Sequence, residues 1–199
     1  MRTLTDLARS LNLRSGRRDL PALMLLTDTL RLADPLPLVR RLPVGSWVVL
    51  RHYDAPGRVL LAARLARLCK ARRLKFSIAG DFELARRFAA GLHLPQGLAA
   101  RPTPRIRIWA KRHAVTAAAH DRLALLRARD LGCRAALLSP VFPTQSHPGA
   151  PHLGTLKARA LCHRAGLPVY ALGGVTHRTA ASLLGSGVVG TATVSGFSL

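Results

Sequence analysis

The stretch RAALLSPVFPTQSHPGAPHLGTLKARALCHRAGLPVYALGG, residues 134–174, has the pattern of one strand–helix–strand unit. Apolar runs at 134–142 and 168–174 predict two buried strands, and a segment near 155–165, which ends at Gly166, predicts the helix between them. Continuous apolar runs are typical of parallel strands that are buried on both faces. The unit therefore predicts an α/β fold in which strands and helices alternate.

The same alternation extends over most of the chain. Further strands are predicted at 23–28, 46–52, 75–80, 91–95, 114–119 and 187–195, with helices at 35–42, 57–73, 82–89, 122–131 and 178–184. The Pro- and Arg-rich segment 101–107 is predicted as a connection without a helix. Eight such units close into a (βα)8 TIM barrel, and a doubly wound open sheet is the structural alternative.

The barrel domain is predicted at residues 22–199, after an N-terminal helical extension at 1–21 whose helix lies near 4–12. Only Gly196 to Leu199 follow the last strand, so the eighth helix is expected to be truncated. This leaves one apolar outer face bare. Either the N-terminal helix or a second copy of the chain, in a homodimer, is expected to cover it.

The chain is strongly basic: among its 199 residues, 31 Lys and Arg stand against 9 Asp and Glu, for a net charge of +22. Such an excess favours anionic partners. The arginines are spread along the whole chain and aromatic residues make up only 5%, so a nucleic-acid surface with stacking platforms is disfavoured. A phosphorylated small molecule is the expected partner.

Cysteines and apolar runs indicate the compartment. Cys69, Cys133 and Cys162 are far apart and form no CxxC pair, as expected for reduced, buried thiols. The first residues lack the apolar run of a signal peptide, and no segment reaches the roughly 18 apolar residues of a membrane span. The sequence therefore predicts a cytoplasmic protein without a membrane partner.

Three glycine-containing segments follow late strands: 139–149, 171–176 and 191–196. In a barrel, the loops after the last strands commonly hold a phosphate. Gly173 and Gly174 would let backbone N–H groups approach an anion closely. Thr144 and Ser195 would add hydroxyl donors. Together the three loops predict a phosphate site at the carboxyl ends of the late strands.

The motifs SPVFPT, PVYALGGVT and ATVSG, with LLTD, VVLRH and GLHLPQ earlier in the chain, resemble the family of thiamine phosphate synthase and the thiazole tautomerase TenI. The resemblance runs from about residue 22 to 196. It implies a (βα)8 barrel that binds a thiazole phosphate. It also implies that the phosphate lies against Thr144, Gly173, Gly174, Val194 and Ser195.

The chain departs from the synthase pattern at the acids that hold Mg²⁺. Where the resemblance implies an Asn-Asp pair after the third strand, the chain has Ala79 and Gly80, with Asp81 one position later. Where the resemblance implies an acid shortly after HLPQ (93–96), the chain has Gly97, Leu98 and Ala99. Because Mg²⁺ prefers carboxylate oxygens, we expect no metal and no cofactor here, with Mg²⁺ needed only if the protein is an active synthase.

A TenI-like tautomerase requires a general acid/base and an anion site, but no metal. The resemblance places its histidine after the fifth strand, where His120 stands, although Ala118 replaces the expected serine. Histidine suits proton transfer near neutral pH. His120 is the predicted catalytic residue; the alternative is a histidine that only opens a helix or is solvated on a loop.

Arg51, His93 and His147 are predicted to bind the substrate. Arg51 ends the second strand, where a guanidinium could hold a carboxylate or phosphate; a surface arginine is the alternative. His93 is either a ligand or a packed strand-end histidine, and His147 stands where the resemblance implies a lysine. The functional alternatives are a TenI-like tautomerase, a synthase whose metal ligands include Asp81, and a non-catalytic binder of a phosphorylated ligand.

Overall fold

The computed structural model describes residues 2–144, 149 and 151–194. Eight parallel strands form a closed barrel in sequence order, with the last strand paired to the first. The strands are β1 (Leu23–Leu26), β2 (Trp47–Leu50), β3 (Lys75–Ala79), β4 (Gly91–Leu94), β5 (Val115–Ala119), β6 (Ala135–Leu138), β7 (Val169–Ala171) and β8 (Val188–Thr193). Closure confirms the predicted TIM barrel and excludes the open sheet.

Helices surround the strands. They are α1 (Leu4–Arg14), α2 (Leu36–Arg41), α3 (Arg58–Ala71), α4 (Phe82–Arg87), α5 (Gln96–Ala100), α6 (Pro104–Ala110), α7 (Arg122–Asp130) and α8 (Gly154–Arg164), with a 3₁₀ helix at Ala180–Leu183. No described helix is long and apolar enough to cross a membrane.

The connection between β4 and β5 corrects one prediction. The segment 101–107 was expected to lack a helix, but α6 begins there at Pro104. Proline has no N–H to leave unpaired at a helix start, and the Thr103 side chain accepts a hydrogen bond from the Ile106 N–H. The predicted helix at 178–184 is also shorter than expected, a single 3₁₀ turn.

The helix α1 covers the outer face beside the last strand. It packs against β8 and the 3₁₀ helix, and its buried side chains include Leu7 and Leu11. The Asn12 side-chain amide donates to the Val189 carbonyl at 3.1 Å. The N-terminal helix is thus the element that covers this face, and the homodimer stays a prediction.

Strand alternation divides the core into two layers. One set of side chains packs between strands and helices, and the other, which includes Met24, Trp47 and Tyr170, fills the barrel. The Trp47 indole N–H donates to the Ser77 hydroxyl at 2.8 Å, and the Tyr170 hydroxyl donates to the Pro21 carbonyl at 2.6 Å. A filled interior leaves the chemistry to the carboxyl edge of the strands.

Candidate active site

Polar side chains gather where the strands end. Asp28 and Arg51 follow β1 and β2, His93 lies in β4, and His120 and Ser139 follow β5 and β6. Because all eight strands are parallel, their carboxyl ends meet at one edge of the barrel. In barrels of this kind that edge is where active sites occur.

The exposed His120 has one ring nitrogen engaged. Its Nδ1 lies 2.6 Å from the Ser139 carbonyl oxygen, and the Ser139 hydroxyl is 3.3 Å from the same nitrogen. Because a carbonyl oxygen only accepts, this contact requires a proton on Nδ1, and in the neutral ring Nε2 then holds the lone pair. This arrangement suits a general base that takes a proton at Nε2.

Two neighbours of His120 were not identified from the sequence. Ser139, directly after β6, has its hydroxyl 3.3 Å from Nδ1 of His120. The Gln96 side chain accepts a hydrogen bond from the backbone N–H of His120 at 3.0 Å. Both contacts join loops of different strands, so spacing along the chain gave no direct signal. Gln96 is the last residue of the HLPQ segment, which the sequence analysis discusses because no acid comes directly after it.

Arg51 is held in place from two sides. Its Nη2 lies 3.5 Å from Asp28 Oδ2, and its backbone N–H donates to the Thr27 hydroxyl at 3.0 Å. The Thr27 hydroxyl also lies 2.8 Å from Nδ1 of the buried His52. The Asp28 Oδ1 accepts from the backbone N–H groups of the following turn. Arg51 is therefore a partly exposed cation that pairs with Asp28 at the edge.

His93 lies beneath that edge. Its side chain is fully enclosed, and Nδ1 lies 2.9 Å from the Thr116 hydroxyl. Burial, assisted by the nearby charge of Arg51, lowers the pKa of His93 to about 3. A neutral, buried imidazole fits the packed-histidine alternative better than direct contact with a substrate. Its predicted binding role stays a prediction.

The loops after β6 and β7 pack tightly together. The Phe142 N–H donates to the Gly173 carbonyl at 3.0 Å. Gly173 and Gly174 both have positive φ, at 88° and 64°. A Cβ on Gly174 would meet the Pro143 carbonyl oxygen and lie 2.7 Å from the Phe142 Cβ. The two glycines are therefore required by the fold, whatever they bind.

The remaining residues of the predicted phosphate site are only partly described. No described residue accepts a hydrogen bond from the N–H of Gly173 or Gly174. Thr144 lies in the connection after β6 and Val194 directly follows β8; both are half-buried, and Val194 packs against the barrel interior. Ser195 and His147 lie outside the described residues. The phosphate role of this loop group stays a prediction.

The β3 end does not match the ligand chemistry of Mg²⁺. Asp81 Oδ1 accepts from the Leu84 N–H at 2.9 Å, and Oδ2 lies 3.2 Å from Nη1 of Arg58. Both carboxylate oxygens are therefore engaged, one by a cation. Within residues 2–144, 149 and 151–194, no three His, Cys, Asp or Glu side chains are grouped as metal ligands. We assign no step to a metal ion.

The protein is a closed (βα)8 barrel, and its titratable side chains gather at the carboxyl edge of the strands. The chain belongs to the thiamine monophosphate synthase family, whose model matches residues 24–197. It is thus a thiamine-biosynthesis family protein, in agreement with the resemblance of its motifs.

Two relatives have names that fit this family. The chain is 29% identical over 190 residues to "Putative thiamine-phosphate synthase 2" of Aquifex aeolicus. The alignment covers 90% of this chain and 98% of that protein. It is 27% identical over 146 residues to the "Thiamine biosynthesis bifunctional protein ThiED" of Geobacter sulfurreducens, covering 73% of this chain but 30% of that longer protein.

A solved structure shares the fold. The thiamine phosphate pyrophosphorylase from Pyrococcus furiosus superposes with a TM-score of 0.71 at 24% identity. The alignment covers 92% of this chain and 88% of that one. At this identity the similarity shows the barrel and not the reaction.

Proposed function

We propose that the protein is a TenI-like thiazole tautomerase, which moves a proton on a phosphorylated thiazole carboxylate to form the aromatic isomer without a metal ion. The observation that carries the proposal is His120. Its Nδ1 proton is held by the Ser139 carbonyl, so Nε2 is available for proton transfer in an exposed position at the barrel edge.

Arg51 is the proposed partner of the substrate carboxylate. A guanidinium can donate two parallel hydrogen bonds to a carboxylate. The Asp28 contact at 3.5 Å and the backbone bond to Thr27 limit the positions that the side chain and its strand can adopt.

The phosphate is proposed to lie on the late loops. The N–H groups of Gly173 and Gly174 donate to no described acceptor, and such groups suit a phosphate oxygen. Thr144, Val194 and Ser195 would complete the site. In this arrangement the ligand spans the edge, with its carboxylate toward β2 and its phosphate toward β7 and β8.

The direct test supplies purified protein with the non-aromatic thiazole carboxylate phosphate in EDTA and follows formation of the aromatic isomer by its absorbance. We expect turnover that depends on protein concentration. The matched pair His120→Ala and His163→Ala separates the site from the fold, because His163 is exposed on α8. Formation of the isomer only at the uncatalysed rate would reject the proposal.

Synthase activity is the second candidate, because relatives carry that name. It requires condensation of a pyrimidine pyrophosphate with thiazole phosphate in Mg²⁺. Since Asp81 is engaged by Arg58 and by the start of α4, we expect no product above background. Condensation at a rate that scales with protein would establish the synthase instead.

A non-catalytic binder is the third alternative. It predicts calorimetric binding of thiazole phosphate together with no turnover in either assay. The two activity assays and the binding measurement thus assign the protein to one of the three alternatives.

A further inference from the structure

The peptide group between Ala119 and His120 is hydrogen-bonded on both sides at the barrel edge. Its carbonyl oxygen, which belongs to Ala119, accepts from the backbone N–H of Ser139 at 3.0 Å. Its N–H, which belongs to His120, donates to the side-chain oxygen of Gln96 at 3.0 Å. The start of the loop that carries His120 is therefore held by the segment after β6 and by the first residue of α5.

Gln96 replaces a strand in this contact. Leu94, the last residue of β4, is paired with Ala117 of β5, and beyond it the chain turns at Pro95 into α5. Among the described residues, no backbone carbonyl accepts from the His120 N–H. A backbone N–H needs an acceptor from the backbone, a side chain or water. The Gln96 side chain thus supplies the acceptor that β4 no longer offers.

The ring of His120 is held by a different group. Its Nδ1 lies 2.6 Å from the Ser139 carbonyl oxygen, and the next residue, Asp121, caps α7 by accepting from the Ala124 N–H at 2.7 Å. The helix α5 contacts β5 and α7, the two elements that His120 joins. Within residues 2–144, 149 and 151–194, Gln96 is the side chain that bonds the His120 backbone. Its loss would free the peptide group that directs the ring toward Ser139.

The orientation of the Gln96 amide follows from its partner. A backbone N–H only donates, so the amide oxygen faces His120 and the NH₂ group faces away. The contact therefore depends on an oxygen acceptor. Glutamate keeps such an oxygen at the same position along the side chain, whereas methionine has a similar length and only a weak acceptor. The two substitutions separate the hydrogen bond from the bulk of the side chain.

We infer that Gln96 is a positioning residue for His120. By fixing the peptide group before the imidazole, it keeps Nδ1 on the Ser139 carbonyl and leaves Nε2 of the neutral ring without a proton. Gln96 itself exchanges no proton and is assigned no contact with the substrate. The inference rests on the proposed function for the reaction, whereas the tautomer that Gln96 fixes can be measured without turnover.

Kinetics give the first readout. In the tautomerase assay in EDTA, Gln96→Met should lower kcat about 10-fold and change KM less than about 2-fold, because a misplaced base slows the chemical step more than it weakens binding. Gln96→Glu keeps the acceptor and should retain kcat to within about 3-fold. Arg101→Met changes an exposed residue directly after α5 and should alter neither constant. Thermal unfolding of each variant reports whether it folds.

Spectroscopy gives a second readout that needs no substrate. The imidazole ¹⁵N chemical shifts of His120, assigned by comparison with His120→Ala, report which nitrogen carries the proton when recorded at about pH 9, where an ordinary imidazole is neutral. The unmodified protein and Gln96→Glu should carry it on Nδ1, and in Gln96→Met the fraction on Nδ1 should fall. The backbone amide of His120 should exchange with D₂O at least about 10-fold more slowly in the unmodified protein than in Gln96→Met.

Three results would overturn the inference. The first is an unchanged kcat or an unchanged tautomer in Gln96→Met. The second is an equal loss in Gln96→Met and Gln96→Glu. The third is a raised KM at unchanged kcat, which would make Gln96 a substrate contact. If Gln96→Met does not fold, Gln96→Asn, whose amide is one methylene too short, takes its place with the same expected losses.

The two readouts also separate the positioning role from the proposed function. A protein without turnover that still shows the tautomer change in Gln96→Met would reject the tautomerase and keep the positioning role. An active protein in which Gln96→Met changes neither kcat nor the tautomer would do the reverse.

Discussion

The early and late halves of the barrel edge are built differently. After β1 to β3, the side chains are charged and paired with one another: Asp28 with Arg51, and Asp81 with Arg58. After β5 to β7, the contacts are made largely by the backbone. The Ser139 carbonyl holds His120, and the loop glycines pack against the segment before Thr144.

The difference indicates how each half can be altered. Ion pairs at a partly exposed edge tolerate substitution in the fold, because such pairs contribute little to stability, but they change what the site attracts. Tight backbone packing around glycine tolerates almost no added atom. The early half is therefore expected to govern affinity for the ligand carboxylate, and the late half to govern the fold, the proposed phosphate contacts and the proton transfer.

The largest effect on stability is expected at Gly174. In Gly174→Ala the new methyl group meets Phe142 and Pro143, and φ is 64°. We expect the free energy of unfolding to fall by about 2–4 kcal/mol, the sum of left-handed strain and overpacking. Gly185→Ala is the control, because its φ is 82° with nothing within 4 Å, and it should cost about 1–2 kcal/mol. Equal losses in urea unfolding would contradict the packing argument.

The next effect is on ligand affinity at Arg51. Arg51→Gln removes the cation beside Asp28, and binding of the carboxylated thiazole phosphate should weaken about 10- to 100-fold, the range for a lost charged hydrogen bond. Stability should change little. Arg40→Gln, an exposed arginine of α2, is the matched control in calorimetry. Unchanged affinity in Arg51→Gln would place the carboxylate elsewhere.

A pH effect is expected at His93, beneath the early half. Its pKa in the folded state is about 3, below the ordinary 6.5, so the unfolded chain binds the extra proton first as pH falls. The stabilisation from keeping His93 neutral is complete above pH 6.5 and is lost on acidification toward pH 3. Between pH 7 and 5 it should diminish by about 2 kcal/mol.

The check is urea unfolding at both pH values for the unmodified protein and for His93→Gln. The amide can keep a hydrogen bond to Thr116 without titrating. Between pH 7 and pH 5 the free energy of unfolding should fall for both proteins, and the fall should be about 2 kcal/mol smaller for His93→Gln than for the unmodified protein. The exposed His163→Gln should behave like the unmodified protein, and an identical pH response in His93→Gln would contradict the assigned burial effect.

Much of the fold could be predicted from local pattern. Apolar runs mark every strand, including the alanine-rich β5. In parallel strands that are buried on both faces, the apolar character of the side chains matters more than their intrinsic preference for strands. The composition of 101–107 gives no sign of α6, because Pro and Arg are typical of connections; proline is nevertheless favourable at a helix start, and Pro104 is the first residue of α6.

The site was less predictable, because its contacts join different strands. His120 and Arg51 could be selected from position and chemistry alone. Ser139 became relevant only when β6 was placed beside β5, with its carbonyl 2.6 Å from the imidazole. Arg58 was one of several arginines in a helical pattern, and only the barrel brings it over Ala79.

The central claim is proton transfer by His120 without a metal ion, and solvent isotope incorporation tests it most directly. The unmodified protein would convert the non-aromatic thiazole carboxylate phosphate in D₂O with EDTA, and mass spectrometry would follow deuterium in the aromatic product. We expect labelled product to form at least about 100-fold faster than with His120→Ala, the lower range for general acid–base catalysis. Equal rates for the two proteins, or turnover that requires Mg²⁺, would contradict the account.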